Sequence, residues 1–129
     1  MDSSRELAQH RLQKGYEALE AAQVLFQAKK YGHCVSRCYY AMFHAARALL
    51  ATVRLDSRKH SGVISLFNQH FVKTGIVPKD SARVLLDAQE IRESSDYEDY
   101  YQATPEDAER LLLQAEQFLK VVEDTLRKL

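Results

Sequence analysis

Between His33 and Arg47 the chain carries two arginines, two histidines, a tyrosine and a serine at spacings that a helix would gather on one side. At about 100° per residue, Ser36, Arg47, Tyr40, His33, His44 and Arg37 fall in one arc. Val35, Cys38, Tyr39, Met42, Phe43, Ala46, Leu49, Leu50 and Val53 fall opposite, as a core face. The polar arc contains no acid, and it admits three uses. It could be a solvated face. It could be a homodimer seam, with Tyr40 and Arg47 as anchors. It could also be a nucleotide or RNA surface on which Arg37 and Arg47 contact phosphate while Tyr40 or His44 stacks on a base. Arg37 and His44, seven residues apart, are nearly eclipsed. In metal-free RNA cleavage such a histidine would move a proton at the 2′-hydroxyl and leaving oxygen, and the arginine would stabilise charge on the phosphate.

Metal chemistry finds no comparable set. Cys34 and Cys38 point well away from His33 and His44 around the helix, and there is neither a Glu-x-x-His pair nor a Cys-x-x-Cys. No metal site or cofactor is expected. The two cysteines, one helical turn apart, suit a disulfide poorly and read as buried thiols in a reducing compartment.

The elements that must hold these residues are helices. The chain has 129 residues with four Gly and two Pro, too few for a turn-rich β fold, and 46% apolar residues suffice for one core. A capping box at Ser3 and Glu6 starts helix 1, which is expected to stop near Tyr31-Gly32. Helix 2 is expected over about His33 to Val53, with Ala41, Ala48 and Ala51 letting another helix approach closely. Val63, Ile64, Phe67, Phe71 and Val72 predict helix 3, closed by Gly75. Helix 4 begins near Lys79-Asp80-Ser81 and fades into the polar tract Glu93 to Tyr100. Helix 5 begins at Thr104 as N-cap with Pro105 first, and ends with Arg127 and Lys128. The expected fold is all-α, a five-helix antiparallel bundle forming one domain over 1–129. No apolar run is long enough to span a bilayer, and the start Asp2-Ser3-Ser4-Arg5-Glu6 lacks a signal peptide's apolar stretch, so a cytoplasmic, non-membrane protein is expected.

Net charge is zero, with 18 basic and 18 acidic residues, but it is unevenly spread. Residues 31–75 carry six basic groups and one acid, whereas residues 76–129 carry seven basic groups and thirteen acids. A polyanion surface would therefore be built from the middle, which also holds His33, His44, His60 and His70. The alternative is that the acidic part folds back on the basic one as an ion-paired surface.

The run Ser36-Arg37-Cys38-Tyr39-Tyr40-Ala41-Met42-Phe43-His44-Ala45-Ala46-Arg47-Ala48-Leu49-Leu50 becomes recognisable when joined to other segments. These are Lys59-His60-Ser61-Gly62, Phe67, Phe71 to Gly75, and Arg92 with Asp96-Tyr97. Together they resemble the HEPN domains of bacteria and archaea, from about residue 5 to the C-terminus. The resemblance implies a small helical bundle, commonly a homodimer, often encoded beside a minimal nucleotidyltransferase as a toxin–antitoxin pair. Active members are metal-independent RNases with an Arg, four to six residues, then a His. Arg37 and His44 satisfy that spacing but lie on helix 2, whereas the family motif usually stands ahead of the last helix. The candidate there is Arg92, followed after four residues by Tyr97 in place of the His. A phenol, with a pKa near 10, is a poor general base at neutral pH, so the motif reads as degenerate. Arg92, Asp96 and Tyr97 can equally form an ion pair and close the loop into helix 5. Tyr97, Tyr100 and Tyr101 are candidates for modification by the nucleotidyltransferase that the resemblance implies. The expectation is a HEPN component that binds a partner protein and nucleotide or RNA through Arg37, Tyr40, His44, Arg47 and His60. The alternatives are an active RNase toxin and a non-catalytic interaction module.

Overall fold

Thr104 begins the last helix as its type predicts: with extended backbone (φ −86°, ψ 159°), its Oγ1 accepts the Asp107 N–H at 3.0 Å. Such local rules account for much of the computed structural model, which describes residues 3–129. Five helices follow in order: α1 (Ser3–Gln27), α2 (Tyr31–Thr52), α3 (His60–Phe67), α4 (Ser81–Tyr97) and α5 (Pro105–Lys128). A π-helical turn, Asn68–Val72, prolongs α3. Among the described residues there is no strand, and no helix is long and apolar enough to cross a membrane. Asp2, part of the polar start, lies outside the described residues.

Cross-helix hydrogen bonds set the register. Arg5 Nη2 donates to the Leu129 carbonyl at 2.6 Å, Tyr16 Oη to Glu123 at 2.6 Å and Gln23 Nε2 to Glu116 at 3.3 Å, so α1 and α5 run antiparallel. Position numbers rise on α1 as they fall on α2 as well. A Cβ at Gly15 would stand 3.0 Å from the Ala41 carbonyl oxygen and 3.7 Å from the Ala45 nitrogen. The close approach foreseen at the small residues of α2 is thus made by α1, and Ala41, Ala48 and Ala51 are buried. Helix α2 touches all four other helices and supplies the centre of the core through Val35, Tyr39, Met42, Leu49 and Leu50. From α5, Leu111, Phe118, Leu119 and Val122 close the core.

Three boundaries differ from expectation. The turn between α1 and α2 is at Ala28 to Lys30, with Lys29 in the left-handed region (φ 62°). Gly32 lies inside α2, where a Cβ would come within 3.0 Å of Ser95 Oγ on α4; the glycine serves packing and does not stop a helix. Val53, placed on the core face, is 47% exposed because α2 ends at Thr52. The tract from Glu93 stays helical to Tyr97, and Arg92 and Asp96 pair across its last turn, 3.0 Å apart. Gly75, with φ 79°, follows the π turn as expected of a residue after a helix end.

Candidate nucleic-acid interface

Helix α2 presents Tyr39, Tyr40, Phe43 and His44 in successive turns, and the first residue of α3, His60, lays its ring against the first three. The His60 ring stacks on Phe43 with centroids 4.1 Å apart and meets Tyr40 edge-on at 5.7 Å. Tyr39 Oη and His60 Nδ1 share a hydrogen bond of 2.9 Å. Tyr40 is half-buried and faces two cations. Arg37 Cζ lies 4.8 Å from its ring centroid, and Arg92 Cζ, from α4, lies 5.2 Å from it. The same Arg92 is 5.6 Å from Tyr39 and 5.9 Å from Tyr97. Of the two pairs that stand apart in the sequence, Arg37, His44 and Arg92 therefore meet around Tyr40, and Tyr97 joins them through Arg92.

The electrostatics of the site separate its histidines from its cations. Burial, then Lys14, Arg47, Arg37 and Arg11, pulls the His44 pKa down to about 4, and His44 Nδ1 is buried without a hydrogen-bond partner among the described residues. His44 is neutral at pH 7, able to accept a proton but holding none to give as an imidazolium acid. Burial and then the charges of Arg92 and Arg47 also hold His60 below the ordinary histidine value. Burial raises the Tyr39 phenol. Tyr97 is 72% exposed and Tyr100 99%, whereas Tyr101 is tied down, its hydroxyl donating to Asp107 at 3.2 Å. His33 is exposed at the far end of the polar arc.

Arg47 has a partner that the helical pattern does not reveal. Its Nε and Nη2 donate to the two oxygens of Asp56 at 3.2 and 2.8 Å, a bidentate pair. Arg11, from α1, donates to the same carboxylate at 3.1 Å and to the Arg47 carbonyl at 3.1 Å. Asp56 and Arg11 were missed; the signal for Asp56 was its being the single acid in residues 31–75. Phe43 and Tyr39 were assigned to the core, and they also form the floor and back of the aromatic cluster.

The acidic C-terminal part meets this face only through α4, where Asp96 pairs with Arg92 and the charge of Glu93 reaches His60 and Tyr39. Its ion pairs close within itself: Arg83 with Asp80, Arg92 with Asp96, Arg110 with Asp87 and Asp107, and Lys120 and Arg127 with Asp124. Among the described residues no ion pair joins residues 76–129 to residues 31–75. Cys34 and Cys38 are buried free thiols, and a hydrogen bond between them holds Cys34 below and Cys38 above the usual thiol value. Among the described residues no three His, Cys, Asp or Glu side chains gather as a metal-binding group.

Comparison with known proteins gives this geometry a setting. The family model described as HEPN domain matches residues 8–125. A protein of Methanocaldococcus jannaschii named "Putative toxin MJ0605" is 36% identical over 125 residues, which cover 97% of this chain and 92% of that protein. "UPF0332 protein glr0978" of Gloeobacter violaceus is 36% identical over 116 residues, covering 89% of this chain and 92% of that protein. A second M. jannaschii protein with the same form of name, MJ0142, is 35% identical over 108 residues, covering 84% of this chain and 74% of its own.

Proposed function

From the premise that this chain belongs to the HEPN domain family, we propose that it is the HEPN component of a toxin–antitoxin-type pair, binding RNA or a nucleotide without cleaving it. The observation that carries this reading is the placement of Arg37 and Arg92 over one half-buried ring, Tyr40. The ring already carries two guanidinia, and as one of these turns to a phosphate a base can take its place on the ring. The printed names of the two M. jannaschii relatives support the toxin-type setting. The other component is a minimal nucleotidyltransferase, the active form a homodimer and the location the cytoplasm, as the family resemblance suggests.

Cleavage is assigned to neither histidine position. Tyr97 supplies a phenol where proton transfer needs an imidazole, and His44, at a pKa of about 4, holds no proton to donate at neutral pH. The test is fluorescence anisotropy with a labelled single-stranded RNA and with ATP, in chelator, alongside a gel assay for cleavage. Binding without cleavage is expected, with Arg37→Ala plus Arg92→Ala weakening it about tenfold or more. Metal-independent cleavage that His44→Ala abolishes would replace this reading with that of an active RNase.

A further inference from the structure

Beside the Tyr40 cluster, an open cleft of about 470 Å³ is lined by Phe43, Arg47, Asp56, Ser57, Arg58 and His60. At its wall the Asp56 carboxylate accepts four hydrogen bonds: two from Arg47, one from Arg11 at 3.1 Å and one from the Ser57 backbone N–H at 2.8 Å. That number fills the lone-pair sites of a carboxylate. Two guanidinia and a backbone N–H are also the donor set that a phosphate takes, with the Arg47 fork matching two of its oxygens. Charge around the carboxylate is not balanced, since Arg11 and Arg47 share one acid. Arg58, at the cleft and exposed, makes no hydrogen bond or ion pair among the described residues.

We propose that this cleft is a second phosphate subsite, and that Asp56 is an internal stand-in for the phosphate that a ligand displaces. The Asp56 side chain is 45% exposed, so it can turn into solvent, where water replaces its four donors, as Arg47 and Arg11 turn to the incoming oxygens. Arg11 and Arg47 then face the anion without their acid, and Arg58 adds a further positive charge. The route from the first subsite is continuous: Tyr40, which carries Arg37 and Arg92, is 5.7 Å from His60, and His60 stacks on Phe43 in the cleft. A phosphodiester chain whose base lies on Tyr40 would bring its next phosphate past His60 to Arg47 and Arg58. The identity of the anion as an RNA backbone rests on the binding reading above, whereas the phosphate chemistry of the cleft does not.

The experiment therefore has two arms. In the first, inorganic pyrophosphate is titrated into the whole protein and followed by the amide signals of Ser57, Arg58 and His60. Saturable shifts are expected, with Asp56→Asn tightening binding about fivefold and Arg58→Ala weakening it about threefold. Arg58 is exposed, so its variant reports even if Asp56→Asn is poorly folded. Absence of shifts at these signals in the unaltered protein, or equal affinity in all three proteins, overturns the subsite. In the second arm, single-stranded RNA replaces pyrophosphate, and Arg58→Ala should lower the salt slope of binding by about 0.7. If RNA binding needs Arg37 and Arg92 but ignores Asp56→Asn and Arg58→Ala, the RNA backbone is overturned as the occupant of the cleft and the first reading stands. If pyrophosphate responds as stated while RNA does not bind, the cleft stands as a site for free phosphate and the RNA reading falls.

Discussion

The guanidinium of Arg92 on α4 lies over the ring of Tyr40 on α2, 5.2 Å from its centroid. Its Nε is 3.0 Å from Asp96 Oδ2 at an angle that makes an ion pair and no hydrogen bond, so Asp96 orients the cation without saturating it. With 16% of its side chain exposed, Arg92 fastens α4 to α2 and also forms part of the face proposed to bind.

Arg92→Ala should therefore affect both properties. Loss of cation–π contacts with Tyr39, Tyr40 and Tyr97 should lower stability by about 1–2 kcal/mol, measured by urea unfolding. Arg92→Lys should recover part of the RNA affinity, because it keeps the charge, but less of the stability, because an ammonium does not cover three rings as a planar guanidinium does.

Tyr97→His would complete an Arg, four residues, His sequence on α4. If the missing imidazole is what silences cleavage, this variant should gain metal-independent cutting of single-stranded RNA, read on a gel in chelator with an optimum near neutral pH. A variant that binds RNA as before and still does not cut would show that the loss lies elsewhere in the site.

Acid should destabilise the fold in a defined window. An unfolded histidine takes up its proton near pH 6.5, whereas folded His44 does so at about 4, so between these values the unfolded chain holds the extra proton. Stability from this source is full above pH 6.5 and lost as pH falls toward 4. His60 acts in the same direction, and so, at lower pH, does Asp56, whose carboxyl is held down chiefly by its hydrogen bonds from Arg47. His44→Gln should remove about 1–2 kcal/mol of the loss between pH 7 and pH 4, after allowance for solvent at the partly exposed ring. The comparison is of urea midpoints for the two proteins across that range.

Gly15→Ala tests the packing that holds α2 in place. The substitution should raise intrinsic helix propensity by about 1 kcal/mol. The new Cβ, however, would press at 3.0 Å on the Ala41 carbonyl oxygen, which is backbone and cannot rotate away. A net loss of about 1–2 kcal/mol is expected, seen as a lower Tm. A higher Tm would mean that α1 can shift away from α2.

What the sequence disclosed follows the range of the interactions involved. Thr104, Pro105 and the last-turn basic residues of α5 are governed by neighbours within one turn, and they lie where local rules put them. The arc of α2 is likewise a property of a single helix. Gly32 reads in sequence as a helix end, yet a glycine's use is decided by what packs on it, here Ser95 of a different helix. Arg11 and Asp56 are 45 residues apart, and nothing in either's surroundings in the chain announces the other. The meeting of Arg92 with Tyr40 has the same character. Two candidate pairs competed in the sequence, and tertiary packing made them one cluster.

Tyr39 has its ring wholly buried in the core and its hydroxyl on His60. Moving α3 away from α2 would leave that phenol without a partner in an apolar interior, so the two helices must shift together or not at all. The aromatic wall is thereby tied to the core beneath it. Any ligand of the kind proposed would then meet a preformed wall, with adjustment left to the surface guanidinia and to Asp56 on the α2–α3 connection.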